Sequence, residues 1–132
     1  MAQACEKALA QAQLSAGQMA SVVPHQANLR IIDTLVKRLK MDKDKVFVNI
    51  HKYGNMSAAT TLVAFVEAIE EGFIAKQSYV LLPAFGGGLT WSAHVVKWGD
   101  RNHALSTTEV DLPECKKTGL ELVNDIIAAK SA

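Results

Sequence analysis

The chain has 132 residues, 49% of them hydrophobic and 20% charged, with a formal net charge of +1. That length suffices for one domain with a buried core, and the balance is neither that of a disordered segment nor that of a globally basic nucleic-acid binder. Apolar runs such as 46–50 and 79–85 are far too short to span a bilayer, and the start lacks the pattern of a secretory signal, so a cytoplasmic chain without membrane association is expected.

Residues 2–16 are rich in Ala, Gln, Glu, Lys and Leu, and Gly17 offers a stop, so they predict a helix. Its small face of Cys5, Ala8, Leu9, Ala12 and Ala16 suits close packing on a sheet. Residues 21–24 form a short β-branched run ended by Pro24, which cannot donate to a ladder and marks a strand end or edge. From 27 to 40, Leu29, Ile32, Val36 and Leu39 share one helical face with Leu35 alongside, while Arg30, Asp33, Lys37 and Lys40 take the opposite one. Asp33 stands at i, i+3 and i, i+4 spacing from Arg30 and Lys37 and can pair with either along that solvated face.

Residues 43–50 read as a second strand, and 56–72 as a helix apolar on most sides and therefore largely buried. Residues 78–84 and 89–98 are two further strands, and the three glycines 86–88 between them permit a tight hairpin. Beyond Gly99 the composition turns polar, until Leu120, Val123, Ile126 and Ile127 suggest a last amphipathic helix at about 113–130. Strands alternating with helices predict an α/β fold with a mixed sheet, parallel in part and antiparallel at its end. The expected division is a domain at 1–98 and an extension at 99–132.

His25 follows the first strand and precedes a helix start, where free backbone N–H groups favour partial negative charge and ring nitrogens can act on a substrate. A histidine in such a place is, taken alone, more often structural than catalytic, and Asn55 after Gly54 is a common turn arrangement. Three strings together are more specific: Val23-Pro24-His25-Gln26-Ala27-Asn28-Leu29-Arg30-Ile31-Ile32, Gly54-Asn55-Met56-Ser57-Ala58-Ala59-Thr60 and Ala84-Phe85-Gly86-Gly87-Gly88-Leu89-Thr90-Trp91. In order and spacing they resemble the C-terminal half of β-ketoacyl-acyl-carrier-protein synthase III, over about residues 2–98.

The resemblance implies the C-terminal half of a thiolase-like fold, in which two similar halves enclose the active site. It implies condensation of acyl-CoA with malonyl-acyl carrier protein in fatty acid or polyketide synthesis. CoA and phosphopantetheine thioesters are then substrates, with no tightly bound cofactor, no metal and a dimeric assembly. His25 and Asn55 match the pair that assists decarboxylation, as hydrogen-bond donors to the enolate left when carbon dioxide departs. Gly87 matches the glycine whose backbone N–H helps form the oxyanion hole. Asn28 matches a contact to the pantetheine arm. Arg30, with Lys37 as a weaker second, matches a basic face for docking an acidic acyl carrier protein.

The family's nucleophilic cysteine lies in its N-terminal half. Cys5, on a helix beside Glu6, has no visible source of a lowered pKa, and Cys115 no nucleophile context. His51, His94 and His103 match no family role and suggest no metal cage. The resemblance also places a strand ahead of the 2–16 helix, in the middle of the sheet. Without it, residues 20–24 and 78–84 should face each other across a gap filled by an N-terminal-half polypeptide, a second copy through strand exchange, or a tail segment such as 105–112. Two functions follow: a synthase completed by a separately supplied half, or a non-catalytic thiolase-like module for carrier-protein binding or dimerisation. A truncated product without a function of its own is a third reading.

Overall fold

The computed structural model describes residues 1–103, 110 and 113–131. In chain order the elements are α1 (Ala2–Gln11), β1 (Ser21–Val22), α2 (Leu29–Leu39), α3 (Ile50–Tyr53), α4 (Ala59–Glu70), β2 (Tyr79–Gly86), β3 (Thr90–Lys97) and α5 (Gly119–Ser131). Single 3-10 turns stand at Ala16–Gln18 and Lys43–Lys45. β1 runs parallel to β2 and β2 antiparallel to β3, in the order β1-β2-β3.

Side-chain alternation along the sheet divides the core in two. Val22 and Leu81 join Cys5 and Leu9 of α1 and Leu35 and Leu39 of α2 on one face. Val23 and Val80 join Ala64 and Ala68 of α4, Phe47 and Ile74 on the other. Helices thus cover both faces, the α/β layering that the alternation of elements predicts. Phe47 and Phe73 meet edge to face at 5.3 Å, as do Phe65 and Trp98. Among the described residues no helix is long and apolar enough to cross a membrane.

Several expectations need correction. The first helix ends at Gln11, because Gln13 adopts a left-handed φ of 55° and Ser15 and Gln18 then form a capping box around the next turn. Ala12 is consequently exposed, while Ala16, in that next turn, is partly buried against the core. Leu29 is 52% exposed, and α2 buries Ile32, Leu35, Val36 and Leu39 instead. Asp33 pairs with Lys43 at 3.1 Å rather than with Arg30 or Lys37. Residues 43–50 contribute one bridge, Val46 beside Val22, and then enter α3.

The expected gap in the sheet is closed. Ser21 lies opposite Val80 and Val22 opposite Leu81, and the chain continues the ladder with Val23 N donating to Leu81 O and His25 N to Pro83 O. Residues 105–109 and 111–112, offered as a filler, lie outside the described residues. α4 is buried along one stripe only, Thr60, Ala64 and Ala68, while Leu62 and Val66 stand exposed. The last helix starts at Gly119, later than expected, where Thr118 and Glu121 cap it reciprocally. Its Leu120, Val123 and Ile126 are exposed, so it does not cover the sheet.

Candidate active site

β1 delivers His25 to its position. The backbone N–H of His25 donates to Pro83 O at 2.8 Å, extending the parallel pairing past the strand end and fixing the Cα beside β2. His25 is 7% exposed. Burial lowers its pKa from the ordinary histidine value, since desolvation penalises the charged form, so the ring is neutral at pH 7.

Asn55 arrives by a different route. α3 makes a single turn and stops at Gly54, whose φ of 66° and ψ of −155° send the chain sharply away, a conformation that favours glycine. Asn55 Oδ1 then accepts from Ser57 N at 2.9 Å, closing a local turn. Among the described residues Nδ2 has no acceptor, so its protons remain for another group.

The β2–β3 hairpin supplies the third wall. Gly86 is required sterically, because a Cβ there would lie 2.8 Å from Thr90 Oγ1. At Gly87 a Cβ would meet nothing within 4 Å, so this glycine is not demanded by packing. His25, Asn55, Phe85, Gly87 and Trp91 line one open cleft of about 670 Å³. Three of the six residues expected to act at the site therefore meet: His25, Asn55 and Gly87.

The other three stand elsewhere. Asn28 caps α2, its Oδ1 accepting from Arg30 N at 2.8 Å. Arg30 lies in a separate groove of about 350 Å³ with Ile31, Thr34 and Arg38. Lys37 is exposed in the last turn of α2.

Neither thiol reaches the cleft lining. Cys5 is fully buried in the core under α1, and its pKa is pushed up to about 11, mainly by desolvation, which leaves it a poor nucleophile. Cys115 is exposed. Among the described residues no group of three or more His, Cys, Asp or Glu side chains could hold a metal ion.

Sequence reasoning passed over Gln26 and Glu67. Gln26 is fully buried; its Nε2 donates to Pro24 O and Phe47 O, and its Oε1 accepts from Asn49 N and Ile50 N. Glu67, an acid on an apolar helix, accepts from Asn49 Nδ2 at 2.8 Å, Tyr53 Oη at 2.6 Å and Lys52 Nζ at 3.2 Å. The first two bonds hold its carboxyl below the usual range. An amide directly after a motif histidine, and the first carboxylate along an otherwise apolar helix, are the signals that could have drawn attention to them.

The layered architecture is that of part of a thiolase-like fold. Residues 9–98 match the family described as 3-oxoacyl-[acyl-carrier-protein (ACP)] synthase III C terminal. The chain is 50% identical over 127 residues to beta-ketoacyl-[acyl-carrier-protein] synthase III 2 of Vibrio vulnificus (strain YJ016), covering 96% of this chain and 35% of that one. It is 55% identical over 98 residues to the synthase III of Clostridioides difficile (strain 630), covering 74% and 30%. The crystal structure of 3-oxoacyl-[acyl-carrier-protein] synthase III from Aquifex aeolicus VF5 superposes with a TM-score of 0.73 at 45% identity, over 74% of this chain and 32% of that one.

The chain belongs to the 3-oxoacyl-[acyl-carrier-protein] synthase III C-terminal family. It spans about one third of the length of the relatives it matches. The Vibrio match takes in nearly the whole chain, so the segment after residue 98, which the resemblance left unexplained, has a counterpart in that relative.

Proposed function

We propose that this chain supplies one wall of a β-ketoacyl-acyl-carrier-protein synthase III site, which condenses an acyl-CoA primer with malonyl-acyl carrier protein in fatty acid or polyketide synthesis. The observation that carries the reading is that His25, Asn55 and Gly87, from three separate stretches, line one cleft that contains no thiol. The nucleophilic cysteine of such a site belongs to an N-terminal half that lies outside these 132 residues. The exposed Leu62 and Val66 of α4 support this, as an apolar stripe for that half to cover.

In the proposed reaction the malonyl C–C bond breaks, carbon dioxide leaves, and the electron pair moves onto the thioester oxygen. His25 and Asn55 donate hydrogen bonds to that enolate oxygen, and a neutral imidazole does so without quenching the carbanion by proton transfer. The enolate carbon attacks the acyl-cysteine carbonyl. Its oxyanion gathers at the Gly87 N–H and collapses, expelling the thiolate. CoA and phosphopantetheine thioesters pass through as substrates, with no resident cofactor or metal.

Asn28 holds the pantetheine arm, and Arg30 and Lys37 attract the acidic carrier protein. Residues 1–98 form the catalytic half-domain and 99–132 an extension. The working enzyme is a cytoplasmic dimer. The reading is tested by pairing the chain with the N-terminal half of the Vibrio relative and following carbon dioxide release from a malonyl thioester. His25→Ala and Asn55→Ala should each lower the rate by about 10²–10³-fold, the usual loss of an oxyanion donor. Unchanged rates in both would point to the non-catalytic carrier-binding or dimerisation module instead.

A further inference from the structure

We propose that Glu67 and Gln26 are positioning residues that set Asn55 against His25, by clamping the short helix α3 from its two sides. This rests on the reading of His25 and Asn55 as partners in one step. The two side chains reach the cleft on unrelated segments: His25 is carried by the β1–β2 ladder, Asn55 by the turn after α3. A four-residue helix has no stability of its own, so its placement must come from outside it.

Gln26 supplies one side. It follows His25 directly in the chain, and its Oε1 accepts from Asn49 N at 3.1 Å and Ile50 N at 3.2 Å, the two N–H groups that open α3. Its Nε2 meanwhile holds Pro24 O at 2.8 Å and Phe47 O at 3.2 Å. One buried carboxamide thereby ties the segment that carries His25 to the start of the helix that precedes Asn55.

Glu67 supplies the other side. From α4 its carboxylate takes Asn49 Nδ2 just before α3 and Tyr53 Oη at its last residue, so the two oxygens grip both ends of one turn. Asn49 is 1% exposed, and its Oδ1 has no partner among the described residues, so its carboxamide depends on Glu67. Lys52 bridges Glu67 and Glu71 and locks the same turn to α4. Gly54 N donates to Ile50 O at 2.8 Å, so the turn that aims Asn55 moves with α3.

The test uses Tyr53→Phe, which deletes one hydroxyl from a half-exposed residue, with Glu67→Ala and Glu67→Gln. In the chain alone, amide hydrogen exchange is read at Gly54, which reports α3, and at Val23, which reports the sheet. Loss of a charge-assisted hydrogen bond should speed exchange at Gly54 by about tenfold or more in Tyr53→Phe and Glu67→Ala, leave Val23 unchanged, and be only partly reversed in Glu67→Gln, whose uncharged carboxamide keeps a single accepting oxygen.

With the cysteine-bearing half present, the same two variants should lower kcat for carbon dioxide release about tenfold at unchanged KM and spare acylation of the cysteine. Unaltered exchange at Gly54, or altered exchange with an unaltered kcat, overturns the proposal. Failure of the underlying reading looks different, because His25→Ala and Asn55→Ala would then leave carbon dioxide release intact while the exchange result at Gly54 stands.

Discussion

Replacing Leu62 by Glu separates what the chain needs to fold from what it needs to act. Leu62 is 67% exposed on α4, whereas Ala64, two residues on, is fully buried against the sheet. Glutamate is as good a helix former as leucine, so the substitution should change the chain's own stability by no more than about 0.5 kcal/mol. Covering the exposed two thirds of a leucine is worth about 1–2 kcal/mol, and a carboxylate forced into the same contact adds a desolvation penalty of several kcal/mol. Association with the N-terminal half should therefore weaken by at least about 3 kcal/mol, more than a hundredfold. Urea unfolding of the chain alone and calorimetric titration with the N-terminal half read the two quantities. A loss of more than about 1 kcal/mol in the chain itself, or undiminished association, would refute the reasoning.

Three other outcomes are expected. His25 has a folded pKa below its unfolded one, so the unfolded state binds more protons between the two values; its contribution to stability is full above the ordinary histidine pKa and is lost as pH falls through that window. Urea midpoints across this range should slope less in His25→Phe, and carbon dioxide release should fall over the same pH range as the ring charges. Cys5, with a pKa near 11 and no exposure, should resist iodoacetamide at pH 8 until the chain unfolds, whereas exposed Cys115 labels at once, as peptide mass mapping would show. Gly86→Ala should cost about 1–3 kcal/mol through its clash with Thr90 Oγ1, while Gly87→Ala should leave the unfolding midpoint in place and slow acyl transfer.

Much of this architecture was legible because local signals and tertiary contacts agree. The face of α2 was visible in Ile32, Leu35, Val36 and Leu39, and the hairpin in its three glycines. The convergence of His25, Asn55 and Gly87 followed from the order of three strings rather than from any one of them. Residues 43–50 misled because Val46 and Val48 carry strand propensity, while the N–H groups of Asn49 and Ile50 are taken by a side chain twenty-odd positions earlier.

Leu62 and Val66 misled in another way: an all-round apolar helix signals burial, but not against which body. The direct pairing of β1 with β2 was hidden because register depends on what lies between strands, which no periodicity reports. Glu67 was unreadable for a similar reason, since its partners Asn49 and Tyr53 are more than a dozen residues away and approach only when α3 docks on α4.

The central claim is that His25, Asn55 and Gly87 form one wall of a catalytic centre whose cysteine lies in an N-terminal half. The direct measurement is carbon dioxide release from malonyl-acyl carrier protein, with acyl-CoA present, by this chain, by the N-terminal half, and by the two mixed. The account predicts negligible turnover from either component and condensation from the mixture. A stable complex of the two that forms yet releases no carbon dioxide would contradict it.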